Sequence, residues 1–100
     1  MSKDALLASP NSNQKVYEDS EVRIIRVEIK PGQKEALHTH AYKGYIVVIQ
    51  SAKLRYFDEK GVVKSESEYK GAEWREPGAA HMVENVDSKP FKAFRIEVKK

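Results

Sequence analysis

From Gln14 onward, apolar and polar residues alternate with a period of two, the signature of strands with one buried face. The segment Arg23-Ile24-Ile25-Arg26-Val27-Glu28-Ile29 sets Ile25, Val27 and Ile29 on one face and Arg26, Glu28 and Lys30 on the other, and Pro31-Gly32 ends it. Tyr45 to Ile49 is a continuous, largely β-branched run, which predicts a strand buried on both faces. Lys53 to Phe57 alternates again, and Asp58-Glu59-Lys60-Gly61 reads as a hairpin turn into the strand from Val62. Ser65 to Lys70 is polar and predicts an exposed edge strand. Gly71 and Pro77-Gly78 bracket a short strand through Trp74; His81 to Val86 forms another, closed by the turn Asp87-Ser88-Lys89-Pro90. The last strand turns Phe94, Ile96 and Val98 one way and Arg95, Glu97 and Lys99 the other. Only Lys3 to Ala8 suits a turn of helix. Eight or nine short strands without a substantial helix predict an all-β sandwich or double-sheet barrel of the jelly-roll kind. Residues 1–13, turn-rich over Ser9-Pro10-Asn11-Ser12-Asn13, read as a flexible leader, and 14–100 as a single domain.

Composition narrows the function classes. One hundred residues make one domain with a modest core. Positive and negative side chains interleave and the net charge is only +3, with no basic stripe among aromatics, so no nucleic-acid partner is expected. The longest apolar run, Tyr45 to Ile49, is too short to span a bilayer, and no membrane partner is expected. Met1 to Ser9 carries one Lys and no long apolar segment, which predicts no secretory signal and a cytoplasmic location. The absence of cysteine excludes disulfides and thiolate metal ligands.

All three histidines fall in two short patches, Pro31 to His40 and Pro77 to Asn85. His38 and His40 are two apart on an extended segment and so share a face. His81 opens another strand and must be brought in by the fold. Three imidazoles suit Fe, Mn, Ni, Cu or Zn and do not suit Mg or Ca, so His38, His40 and His81 are the candidate ligands of a divalent transition metal. By the same parity Val83 and Asn85 share the face of His81. Asn85 reads as a residue that ties down a loop by hydrogen bonds. Tyr45, Tyr56, Trp74 and Val83 are candidate pocket-lining residues, with core packing as the alternative for the aromatics.

The two patches resemble the paired motifs of the cupin superfamily, the RmlC-like jelly rolls, over roughly residues 22–98. Gly32, five residues and His38-Thr39-His40 match the first motif; Gly71, five residues, Pro77, and then His81 and Asn85 match the second. The resemblance implies a small single-domain double-stranded β-helix. Three departures stand out. The glutamate ligand expected three or four residues after His40 is replaced by Gly44 or Tyr45; the glycine further on is replaced by Ser51; and the second motif is one residue short between Pro77 and His81. Tyr45 offers a phenolate at the longer spacing. Glu35 and Glu84 lie an odd number of residues from His38 and His81, and on regular strands would face away from them.

Without the glutamate, three neutral imidazoles leave the full 2+ charge on an ion, which strengthens it as a Lewis acid and favours anionic partners. The resemblance then implies a metal-dependent enzyme, dioxygenase-like or another oxidoreductase, acting on a small organic molecule. Isomerase or lyase chemistry is a further possibility, since fold does not fix reaction. A non-catalytic binding or sensor domain with a degenerate metal site is the alternative. A homodimer is expected in either case, with a strand near Lys15 to Glu18 able to exchange between copies.

Overall fold

The computed structural model describes residues 4–78 and 80–99. They form one short helix, α1 (Ala5–Ala8), and eight strands: β1 (Asn13–Glu18), β2 (Val22–Ile29), β3 (Lys43–Gln50), β4 (Ala52–Phe57), β5 (Val63–Tyr69), β6 (Ala72–Arg75), β7 (Met82–Asn85) and β8 (Phe91–Val98). Two sheets result, a five-stranded one in the order β1-β2-β8-β3-β6 and a three-stranded one in the order β5-β4-β7. Every strand pair is antiparallel. The all-β jelly-roll expectation therefore holds, and the single helix falls where the sequence allowed one.

Alternation decides which side chains enter the space between the sheets. From β2 and β8 come Ile29, Phe91 and Ala93; from the facing sheet come Ala52, Leu54, Tyr69 and Val83. Burying the larger apolar ones, Ile29, Leu54, Val83 and Phe91, stabilises by roughly 1.5–3 kcal/mol each, before the entropy of ordering them is subtracted. The Asp58 turn forms as expected: Asp58 N donates to Val62 O, Gly61 N donates to Asp58 O, and Gly61 sits at φ +84°, a left-handed value that glycine adopts without strain. β5 is the predicted exposed edge, with every residue but Tyr69 open to solvent.

Two expectations need correction. The run Tyr45 to Ile49 is not buried on both faces: its central residues are half-buried and Ile49 is exposed. Its outer face is apolar without being covered. The flexible leader is also revised for the described residues 4–13. Asp4 pairs with Thr39, α1 packs beside it, and Ser9, Ser12 and Asn13 are buried by side-chain hydrogen bonds. Their polar groups find partners inside, so a turn-rich composition does not here mean a loose segment. Residues 1–3 of the expected leader lie outside the described residues.

Candidate metal centre

His38 and His81 are joined directly through the main chain. His38 N donates to His81 O at 3.0 Å and His81 N donates to His38 O at 2.9 Å, an isolated antiparallel bridge between the two motifs. This pairing fixes His81 in spite of the shortened second motif. His40 follows two residues after His38 and keeps its face. Ring centroids lie 5.1 Å apart for His38–His40, 4.6 Å for His38–His81 and 5.5 Å for His40–His81. One potential ligand nitrogen from each comes within 4.8 Å of the others, so the three expected ligands do converge.

Partners on the far side of two of the rings set which nitrogen is offered. His38 Nδ1 lies 2.7 Å from Ala36 O; a carbonyl only accepts, so Nδ1 carries a proton and Nε2 is the nitrogen left to bind an ion. His40 Nδ1 is buried and faces Glu97 Oε2 at 3.4 Å, a close electrostatic contact without good hydrogen-bond alignment. Burial pushes the His40 pKa down from its ordinary value, and the Arg95 charge adds to this, against an upward pull from Glu97. A neutral imidazole backed by a carboxylate is the arrangement that metal-binding histidines use. The donor set thus fits a borderline divalent ion.

Behind His40 lies an ionic network that alternation alone does not reveal. Arg95 is 3% exposed and Glu97 0%, both on the inner face of β8. Glu97 accepts from Arg23 Nε at 2.7 Å and Arg95 Nε at 2.8 Å, and Arg23 also donates to both oxygens of Asp4. Burial by itself would raise the Glu97 carboxyl; the His40, Arg95 and Arg23 contacts outweigh it and hold the pKa at about 2. Reading charged positions as the wet face of the last strand misses this, because the alternation with Phe94, Ile96 and Val98 points the apolar face inward.

The missing motif glutamate has a structural explanation. Gly44 is buried, and a Cβ there would come within 2.7 Å of Arg95 Cζ. Arg95 Nη2 donates to Tyr42 O, which holds the guanidinium over Gly44. The space beside Gly44 is therefore filled by a cation where the motif that the sequence resembles has a carboxylate. Tyr45, the other candidate position, pairs with Trp74 at 5.1 Å between ring centroids.

The histidines border a cavity of about 580 Å³ that runs between the sheets. Ile29, Ile46, Leu54 and Val83 give it apolar walls, and Tyr56 and Arg75 add polar groups. Of the four expected lining residues, Tyr56 and Val83 line it. Tyr45 and Trp74 do not: they stand on the outer face of the five-stranded sheet, because their positions on β3 and β6 alternate with the inward Ile46 and Arg75. Trp74 is 53% exposed. Burial raises the Tyr56 phenol to about 12, so it remains a hydrogen-bond donor. Arg75 reaches Tyr69 Oη at 3.2 Å, and this bond keeps its pKa above the ordinary value against the cost of burial. Asn85 performs the expected tie: its Nδ2 donates to Ile29 O and Lys89 O. Glu84, as expected, turns away and pairs loosely with Arg55.

Glu35 is where sequence parity fails. It is 5% exposed and lines the same cavity as the histidines. Glu35 N donates to Val83 O and His38 N to His81 O, so three steps along one segment match two along the other. The extra residue acts as a bulge and returns positions 35 and 38 to one side.

No family model matches the chain, and no curated protein matches it in sequence. Solved structures do match. A cupin domain from Bordetella pertussis Tohama I superposes with a TM-score of 0.74 at 22% identity, covering 88% of this chain and 92% of that one. An RmlC-like cupin with a double-stranded β-helix fold from Methanocaldococcus jannaschii gives 0.67 at 14% identity, covering 86% and 77%. The polyketide cyclase RemF from Streptomyces resistomycificus gives 0.62 at 13% identity, covering 88% and 64%. The chain has the fold of a small cupin, a double-stranded β-helix, and it carries a three-histidine cluster inside that barrel. None of its described helices is long and apolar enough to cross a membrane.

Proposed function

We propose that this chain is a metal-dependent enzyme, dioxygenase-like or a related oxidoreductase, acting on a small organic molecule with an anionic oxygen group. The convergence of His38, His40 and His81 on one cavity carries the reading. The three imidazoles would hold Fe, Mn, Ni, Cu or Zn. Such an ion supplies Lewis-acid polarisation and a template for substrate oxygens. The chain's own groups have separable roles. Ile46, Leu54 and Val83 pack a carbon skeleton and exclude water, Arg75 anchors the anionic group, and the protonated Tyr56 donates to a substrate oxygen. Isomerase or lyase chemistry would use the same groups. A non-catalytic sensor is the second reading, favoured by the Arg95 guanidinium beside the position of the family's glutamate.

Metal analysis of protein purified without an affinity tag tests the reading. Close to one equivalent of a transition metal is expected, either as isolated or after reconstitution, and none in His81→Ala. Less than about a tenth of an equivalent in the wild type, with no uptake, overturns it.

A homodimer belongs to the same proposal. Tyr17, Ile24, Ile96, Tyr45 and Trp74 stand in one cross-strand row spanning all five strands of the larger sheet. A two-fold interface brings a patch against itself, so an uncharged apolar belt suits a second copy better than a surface of one sign.

A further inference from the structure

We propose that Glu35 is the fourth protein ligand of this centre, a carboxylate supplied from ahead of the His-x-His pair in place of the one missing after it. The inference rests on the metal-site reading above and adds the residue that completes it.

Three observations lead there. Glu35 is nearly fully buried, yet its partners are neutral: Oε2 accepts from Ser12 Oγ at 2.6 Å and from Asn13 Nδ2 at 2.7 Å. Among the described residues its sole ion-pair contact is His38. A buried carboxylate without a cation beside it is costly, and such groups are usually paired or coordinate a metal.

The second observation is the contact itself. Glu35 Oε1 faces His38 Nε2 at 3.8 Å. Since His38 Nδ1 donates to Ala36 O, Nε2 is the nitrogen left to bind an ion, and it is the atom that faces the carboxylate. An ion bound at Nε2 would have this carboxylate oxygen beside it. Two donors about 2.05 Å from one tetrahedral ion stand roughly 3.3 Å apart, about half an ångström less than the Glu35–His38 separation; Glu35 stands outside the group of ligand atoms that the three histidines already form, so metal binding must draw it inward.

The third is anchoring. Ser12 and Asn13 grip only Oε2, which fixes the carboxylate while Oε1 faces His38. These anchors come from the segment entering β1, so residues ahead of the barrel would contribute to metal affinity.

Titration with Co(II) separates the outcomes. Wild type should bind one equivalent, and Glu35→Gln, which keeps the side chain's shape and can still meet Asn13 or Ser12, should bind at least about tenfold more weakly with a changed visible d–d spectrum. A crystal structure of the Zn(II)-loaded wild type, which does not depend on any variant folding, should place Oε1 about 2.0–2.2 Å from the ion. Equal affinity and an unchanged spectrum in Glu35→Gln, or an ion held by the three histidines with Glu35 remote, overturns the assignment while leaving the metal centre standing. A wild type that takes up neither ion overturns both.

Discussion

Glu97 is the residue on which the ionic side of the site turns. It is fully buried, bridges Arg23 and Arg95, and backs His40. Arg23 has a second acidic partner in Asp4, whereas Arg95 has only Glu97 among the described ion pairs. Glu97→Gln would leave a buried guanidinium without its counter-charge. Removing one member of a buried pair typically costs about 3–5 kcal/mol, so a loss of that order is expected in urea unfolding. The cost exceeds that of a surface pair such as Lys15–Glu18, which is worth about 0–1 kcal/mol. Gly44 belongs to the same cluster. It is glycine because Arg95 occupies the space a side chain would need.

At the scale of elements, β8 does two jobs along one inner face. Phe91 and Ala93 fill the core at its start, and Arg95 and Glu97 support the site at its end. It pairs with β2 on one side and β3 on the other, so the core and the site share a rigid central strand. The turn from β7 into β8 is held by Asn85, which is wholly buried, donates to Ile29 O and Lys89 O, and accepts from Asp87 N at 2.8 Å. Asn85→Ala strips those carbonyls of a donor inside the protein. Unfolding free energy should fall by about 1–3 kcal/mol, measured by denaturant titration at unchanged m-value.

For the whole molecule, the open question of assembly is concentrated on the outer face of the larger sheet. The belt from Tyr17 to Trp74 ends in two aromatics that are 50% and 53% exposed. Trp74 packs on Tyr45 and lies under Lys43, with its remaining surface turned outward. Aromatics of this kind dominate interface energetics. Light scattering should give a dimer for the wild type and a monomer for Trp74→Glu, with the melting behaviour of the fold largely kept because the ring is not part of the core. A monomeric wild type at tens of micromolar would rule out the belt as a stable interface.

The strand periods, the Asp58 turn, the polar β5 edge and the shared face of His38 and His40 were all determined by sequence, because each is a local property of a period-two chain. The cupin-like spacing extended this to His81 and to the barrel. Alternation tells which residues share a face, and leaves open which face is inside when both are plausible: on β8 only the tertiary structure decided that Arg95 and Glu97 go in while Phe94 and Ile96 go out. The outward placement of Tyr45 and Trp74 was decided in the same way. Glu35 was hidden for a different reason. Counting by twos assumes regular pairing, and the extra residue between positions 35 and 38 appears only when the two histidine segments are laid against each other. Sequence therefore supplied the three imidazoles, and the three-dimensional packing supplied the carboxylates around them.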